Sequence, residues 1–233
     1  MSHQLQYEIE KIKKSILTLG AVVEDRVQKA VRSIDDRDAD LAQAVIDGDP
    51  EIDCMEVELE EDCLKILALH QPVAVDLRFI VSVVKINSEL ERIGDLAVNI
   101  GERSIFLASQ KPSGIPFDFA GMSEKVQLML KHSLDALVNM DASLAARVID
   151  TDDAIDAANQ SMYKTVQQVI RKQPEHPESI LHLWSVSRHL ERIADHATNI
   201  AEDVIYMIRG TIVRHKTETF QSMSGRRKKK KNP

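Results

Sequence analysis

The chain has 233 residues, 43% of them hydrophobic but only 4% aromatic, with 8 glycines and 7 prolines, a composition that points to an all-α protein with a sizeable core. Its formal net charge is −7, of which the run Arg226, Arg227, Lys228, Lys229, Lys230, Lys231 supplies +6, so residues 1–225 carry −13 (−7 less the tail's +6). An acidic body argues against nucleic acid as the main partner, and with no secretory-type apolar stretch at the start and no apolar run near the ~18–20 residues that span a bilayer, a cytoplasmic protein is expected.

Leu5, Ile9, Ile12, Ile16, Leu19, Val23, Val27, Ala30 and Ile34 advance in steps of three and four. That is one apolar stripe on a first helix. DDRDAD at 35–40 breaks it, and Asp38 is placed to cap the next helix. This second helix is expected from about 39 to 69, with a weak point at Gly48–Pro50 where Asp49 can cap a new segment. Cys54 and Cys63 fall on it nine residues apart, roughly 13 Å along a helix. That is too far for a disulfide, so both read as reduced thiols. His70-Gln71-Pro72 makes the next turn, and a third helix comes after it over about 75–109. KPSGIP at 111–116 then ends the first half. Three further helices are expected over about 119–139, 142–172 and 178–213, with QPEHP at 173–177 as the last turn. The units are thus 1–111, 117–215, and a basic tail at 216–233.

The second half repeats the first. LERIGDLAVNIGE at 90–102 returns as LERIADHATNIAE at 190–202, LAQAVIDGDPEID at 41–53 as LAARVIDTDDAID at 144–156, and Gln71-Pro72 as Gln173-Pro174. Matches in the same order mean a duplicated three-helix unit. Short turns make neighbouring helices antiparallel, so two three-helix bundles are expected, side by side or end to end.

Each unit repeats one acidic spacing twice: Asp49/Asp53 and Glu91/Asp95, then Asp152/Asp156 and Glu191/Asp195. Residues four apart share one helical face. Asp49 and Asp95 are equidistant from Pro72, as are Asp53 and Glu91. Asp152 and Asp195, and Asp156 and Glu191, are likewise equidistant from the Gln173–Pro174 bond. Folding each hairpin therefore brings four carboxylates to one level in each bundle. By the same fold the first helix adds Glu24 or Asp25. The seam of helix 6 reads Leu183, Val186, Leu190, Ile193, Ala197, Ile200, Val204, and that of helix 3 Leu90, Ile93, Ala97, Ile100. The acids lie off it, and with Asn99/Glu102 and Asn199/Glu202 they read as an outward, oxygen-rich stripe. A cation is the natural counter-charge, and all-oxygen ligation suits Mg²⁺, Mn²⁺, Ca²⁺ or ferric iron. The plainer reading is a solvated acidic face that Arg92 and Arg192 partly neutralise.

Other chemistries are poorly supported. No histidine has a glutamate three residues before it, as inward di-iron sites require. His182, His189 and His196 recur every seven residues, about 10 Å apart on a helix, too far to share an ion; they read as flank residues, with His196 beside Asp195 the one of interest. There is no phosphate-binding glycine loop, nucleophile elbow or Cys-x-x-Cys, so no enzyme is expected. Trp184 and Phe79 read as core, and Phe117 and Phe119 as exposed residues available to an interface.

With its doubled E-R-I-x-D-x-x-x-N-I phrase, QPVAVDLR at 71–78 and the paired VIDGDPEID and VIDTDDAID, the chain resembles the PhoU family of regulators of bacterial phosphate uptake over about residues 5–215. The resemblance implies two three-helix bundles in a homodimer. It implies surface metal (Mg, Mn, Fe or Zn) at Glu91/Asp95 and Glu191/Asp195, with Asp49/Asp53 and Asp152/Asp156 opposite. It also implies a negative regulator acting between the ATPase subunit of the phosphate ABC transporter and a sensor histidine kinase, reaching the membrane only through the transporter. QPVAVDLR has no counterpart in the second half, and the basic tail is outside the pattern. The rival reading is a metal-buffering helical protein with no signalling role.

Overall fold

A computed structural model describes residues 3–111, 119–172 and 177–213; Phe117, most of the KPSGIP and QPEHP turns, and the basic tail lie outside them. The elements are α1 (His3–Asp35), α2 (Ala39–Asp47), α3 (Asp49–His70), α4 (Val75–Ser109), α5 (Phe119–Asn139), α6 (Ala142–Lys172) and α7 (Pro177–Arg209). The expected second helix is interrupted at Gly48. Two rods and this broken one make the first three-helix unit, and α5, α6 and α7 make the second.

The turns repeat as the helices do. Arg37 (φ 54°) and Met140 (φ 51°) each take the left-handed conformation that ends a helix. An aspartate then caps the next one. Asp38 accepts from the Leu41 amide at 2.9 Å, and Asp141 accepts from the Ser143 and Leu144 amides at 2.8 and 3.0 Å. Arg37 also closes the far end of α4, its guanidinium donating to the carbonyls of Leu107 and Gln110. Asp49 is not a cap: it is the first residue of α3, Gly48 holds the cap position, and Pro50 sits in the first turn, where a missing N–H costs nothing. Gln71 and Ala74, both at positive φ, bracket the buried Pro72 in the α3–α4 turn.

Both expected seams are buried except at Leu183, which is only partly buried. Leu90, Ile93, Ala97 and Ile100 of α4 and Leu190, Ile193, Ala197, Ile200 and Val204 of α7 are at most 1% exposed. Each large aliphatic among them contributes on the order of 1.5–3 kcal/mol by leaving water. The bundles stand side by side, because α4 packs along α7. The order of contacts makes the pair antiparallel: Arg78 lies over Gly210, Lys85 reaches Asp203, Glu89 reaches His196, and Phe106 stacks on His182 with ring centroids 3.8 Å apart. One hydrophobic core consequently runs through both units, with a small satellite of Met162, Val166 and Ile180 between α6 and α7. Phe79 is buried as expected. Phe119 is partly buried against the core rather than free, and Trp184 is only half-buried. Gly20 lets α1 meet α5, for a Cβ there would stand 2.8 Å from Leu134. Among the described residues no helix is long and apolar enough to cross a membrane.

Candidate functional site

In the first unit α3 supplies Asp49 and Asp53, and α4 supplies Glu91 and Asp95. The four come together as the hairpin geometry requires. Burial raises the Asp49 carboxyl above the ordinary range, and the charges of Asp53 and Asp95 raise it further. Burial also raises Glu91, helped by Asp95, Glu56 and Asp53. Glu56, one turn on from Asp53, is a fifth acid that spacing by fours passes over. α1 contributes a cation rather than Glu24 or Asp25. Arg26 donates to the Ala44 carbonyl at 3.2 Å and to Glu51 at 2.7 Å, and its charge partly offsets the shift at Asp49. Asp25 pairs instead with Lys29 at 2.6 Å. The guanidinium of Arg26 passes through the space a Cβ would occupy at Gly48, so the missing side chain there is what admits it.

The second unit repeats the quartet without that arginine. Asp152 and Asp156 of α6 face Glu191 and Asp195 of α7. Burial, then Asp156, raises Asp152, against a hydrogen bond from the Thr198 hydroxyl at 3.3 Å. Burial, then Asp156, raises Glu191. Asp195 is lifted farthest, to about 6, by burial and then by Glu191, Asp152 and Asp156, with His196 opposing. α5 presents no acid to these groups among the charges that shift them. Both quartets are therefore strained by like charge, the second more than the first, and a hard cation is the counter-charge their all-oxygen chemistry fits. As the side chains stand, no three or more His, Cys, Asp or Glu among the described residues form a ready metal-holding group.

The asparagines do not join a surface stripe. Asn99 donates to the Asp95 carbonyl of its own helix at 2.7 Å, whereas Asn199 reaches across to Glu89 at 3.0 Å. Glu89 also takes a 2.6 Å hydrogen bond from His196 Nδ1. Burial would raise this carboxyl, but the bonds from His196 and Asn199 and the charges of His196 and Arg92 outweigh it and leave it below the ordinary range. Lys85 meets the buried Asp203 at 3.4 Å a turn or two away. These polar pairs couple the two units. Sequence periodicity passes over them, because Glu89 and Asp203 sit beside the apolar seam and read as solvent-facing. Cys54 is exposed and Cys63 buried, and both are free thiols.

A duplicated three-helix unit, joined along its repeated helix and carrying one acidic quartet per copy, defines an all-α scaffold of two like halves. The PhoU domain model matches residues 16–104 and 119–204. The chain is 38% identical over 216 residues to the phosphate-specific transport system accessory protein PhoU homolog of Pseudomonas aeruginosa, covering 92% of this chain and 89% of that protein. It is 32% identical over 215 residues to the accessory protein PhoU of Escherichia coli (strain K12), covering 92% and 89%. The crystal structure of PhoU from Pseudomonas aeruginosa superposes with a TM-score of 0.85 at 37% identity over 88% of this chain and 99% of that one. The phosphate transport system regulatory protein PhoU from Streptococcus pneumoniae gives 0.82 at 28% identity over 90% and 99%. The chain belongs to the PhoU family. It is a phosphate-transport accessory and regulatory protein, of a family that is not enzymatic.

Proposed function

We propose that the chain is a cytoplasmic adaptor that damps the phosphate-starvation response. In this reading it contacts the ATPase subunit of the phosphate ABC transporter and a sensor histidine kinase, works as a homodimer, and holds metal on its two acidic quartets. The observation that carries the metal part is the repetition of four mutually repelling carboxylates in both units, with Asp195 pushed to about 6. Glu91, Asp95, Asp49 and Asp53 would hold an ion in the first unit, and Glu191, Asp195, Asp152 and Asp156 in the second. A bound cation supplies charge neutralisation, which would stiffen the α3–α4 and α6–α7 pairs that display the quartets to a partner.

The adaptor reading is tested by pulldown of the ATPase and the kinase with the full chain; binding of neither, with or without phosphate, would sink it. The metal reading is tested by elemental analysis of the purified protein beside Glu91→Ala/Asp95→Ala and Glu191→Ala/Asp195→Ala. Metal in the parent and less in each variant is expected. If both variants lose metal while regulation persists, the ions are structural accessories to the adaptor.

A further inference from the structure

The offset of 100 residues allows α4 and α7 to be compared position by position. Val84, Ser88 and Glu89 correspond to Trp184, Arg188 and His189, while Arg92 and Arg192 match. In α4, Glu89 stands 4.0 Å from Arg92. In α7 that acid is replaced by an imidazole, an arginine is added one residue earlier, and a valine becomes the chain's sole tryptophan. Lys85 in turn becomes Ser185, so the net change is one unit of positive charge on a body that is otherwise strongly acidic.

The altered residues line one open cleft of about 420 Å³, walled by Leu181, Trp184, Ser185, Arg188, His189 and Arg192. That is the size of a small-molecule site. The guanidinium of Arg188 lies over the Trp184 ring, 5.6 Å from its centroid. Arg103 of α4, itself paired with Glu102 at 3.7 Å, adds some positive charge near His189. Arg103, Arg192 and Arg188 all bear on the half-buried His189, so arginine supplies the positive field here. His189 Nε2 shares a 3.1 Å hydrogen bond with the Ser185 hydroxyl, and its buried Nδ1 has no partner among the described residues. The charge of Arg188 is partly answered by Glu191 in the adjoining cleft. Among the described residues no acid stands within salt-bridge distance of Arg188 or Arg192, in contrast to Arg92. Guanidinium groups bind phosphoryl oxygens in forked pairs. The space far exceeds a bare phosphate, and Leu181 and Trp184 give it one apolar wall, so an anion that carries an apolar or aromatic body fits it better than phosphate alone.

We propose that this cleft binds a nucleoside phosphate, with Arg188 and Arg192 on the phosphoryl oxygens and the Leu181–Trp184 wall against the base. The site borders the second acidic quartet at Glu191 but does not depend on the adaptor reading. Because Trp184 is the only tryptophan, its emission reports on this cleft and on the adjoining one that it shares with Tyr163 and Glu191. The full chain is titrated with ADP, adenosine and inorganic phosphate at fixed ionic strength, with equilibrium dialysis of labelled ADP as a second measurement. Saturable ADP binding is expected, with adenosine and inorganic phosphate each weaker by about tenfold or more. Arg188→Gln/Arg192→Gln is expected to weaken ADP by about tenfold or more, the loss of at least one charge-assisted hydrogen bond. The exposed single variant Arg192→Gln serves if the double variant melts early. Absence of saturable ADP binding in dialysis, ADP binding unchanged in a folded arginine variant, or inorganic phosphate binding as tightly as ADP would each overturn the assignment.

Discussion

Asp195 is the residue on which the charge conflict concentrates. Its carboxyl titrates near 6 because burial and three neighbouring acids disfavour the anion. Between the unfolded value near 3.8 and that figure the native state holds more protons than the unfolded chain, so stability falls as pH rises through this window. Asp195→Asn removes the conflict. In metal-free protein at pH 7 to 8 it is expected to stabilise by about 1 kcal/mol, a figure already reduced for solvent screening, or about 2–4 °C in Tm. Near pH 4 the gain should vanish. Calorimetry of both proteins at the two pH values checks it, and an equal shift at both would show that charge is not the cause. The two thiols give a second expectation. Burial pushes Cys63 up to about 12, while Glu58 raises the exposed Cys54 more modestly. Since the thiolate is the nucleophile, a disulfide reagent at pH 7 should titrate one thiol slowly in the native protein and two in denaturant.

Between elements, two contacts decide how closely the rods approach. A Cβ at Gly101 would stand 3.1 Å from the Ala42 carbonyl oxygen, which is helix backbone and cannot swing aside. Gly101→Val should therefore force α2 off α4 and cost about 1–3 kcal/mol, the usual penalty of overpacking, read as a lower urea midpoint. Across α4 and α7, Glu89→Ala would leave His196 and Asn199 without their acceptor. A loss of about 1–3 kcal/mol is expected. The Glu89 carboxyl is depressed, so its contribution is present above the ordinary glutamate range and disappears as pH falls below about 4.5. The parent and variant should accordingly converge in stability at low pH. The helices, the caps at Asp38 and the pairing of Asp49 with Asp95 were all legible, because each arises from local periodicity or from distance to a turn. Arg26, Glu89 and Asn199 were not. Their roles depend on which rod faces which, and α4 and α7 bury more than one stripe: Leu96 and Asp203 are 2% and 3% exposed although they lie off the apolar seam.

At the scale of the molecule, the repeat could be read as two independent domains or as halves of one body, and periodicity does not distinguish them. The packing does. Apolar side chains from α1, α4, α5 and α7 belong to one continuous core, and Gly20 of the first unit is closed over by Leu134 of the second. A fragment of residues 1–111 would expose the α4 face that carries Glu89 and Lys85 together with the apolar groups around them. Residues 117–233 would expose the matching face of α7, including the buried Asp203. Exposed apolar patches of this kind drive association, and a three-helix unit of about this size has little stability to spare. Each fragment alone should melt at a lower temperature than the whole chain, with a broader transition, and should self-associate on a sizing column. Mixed or coexpressed, the two should form a one-to-one complex with a single cooperative melt, because each supplies the face the other lacks. Monomeric fragments that melt as sharply and as high as the intact protein would instead mean that α4 and α7 touch without sharing stability. In that case Glu89→Ala should leave the Tm of the full chain unmoved, so the fragment experiment and the point variant check each other.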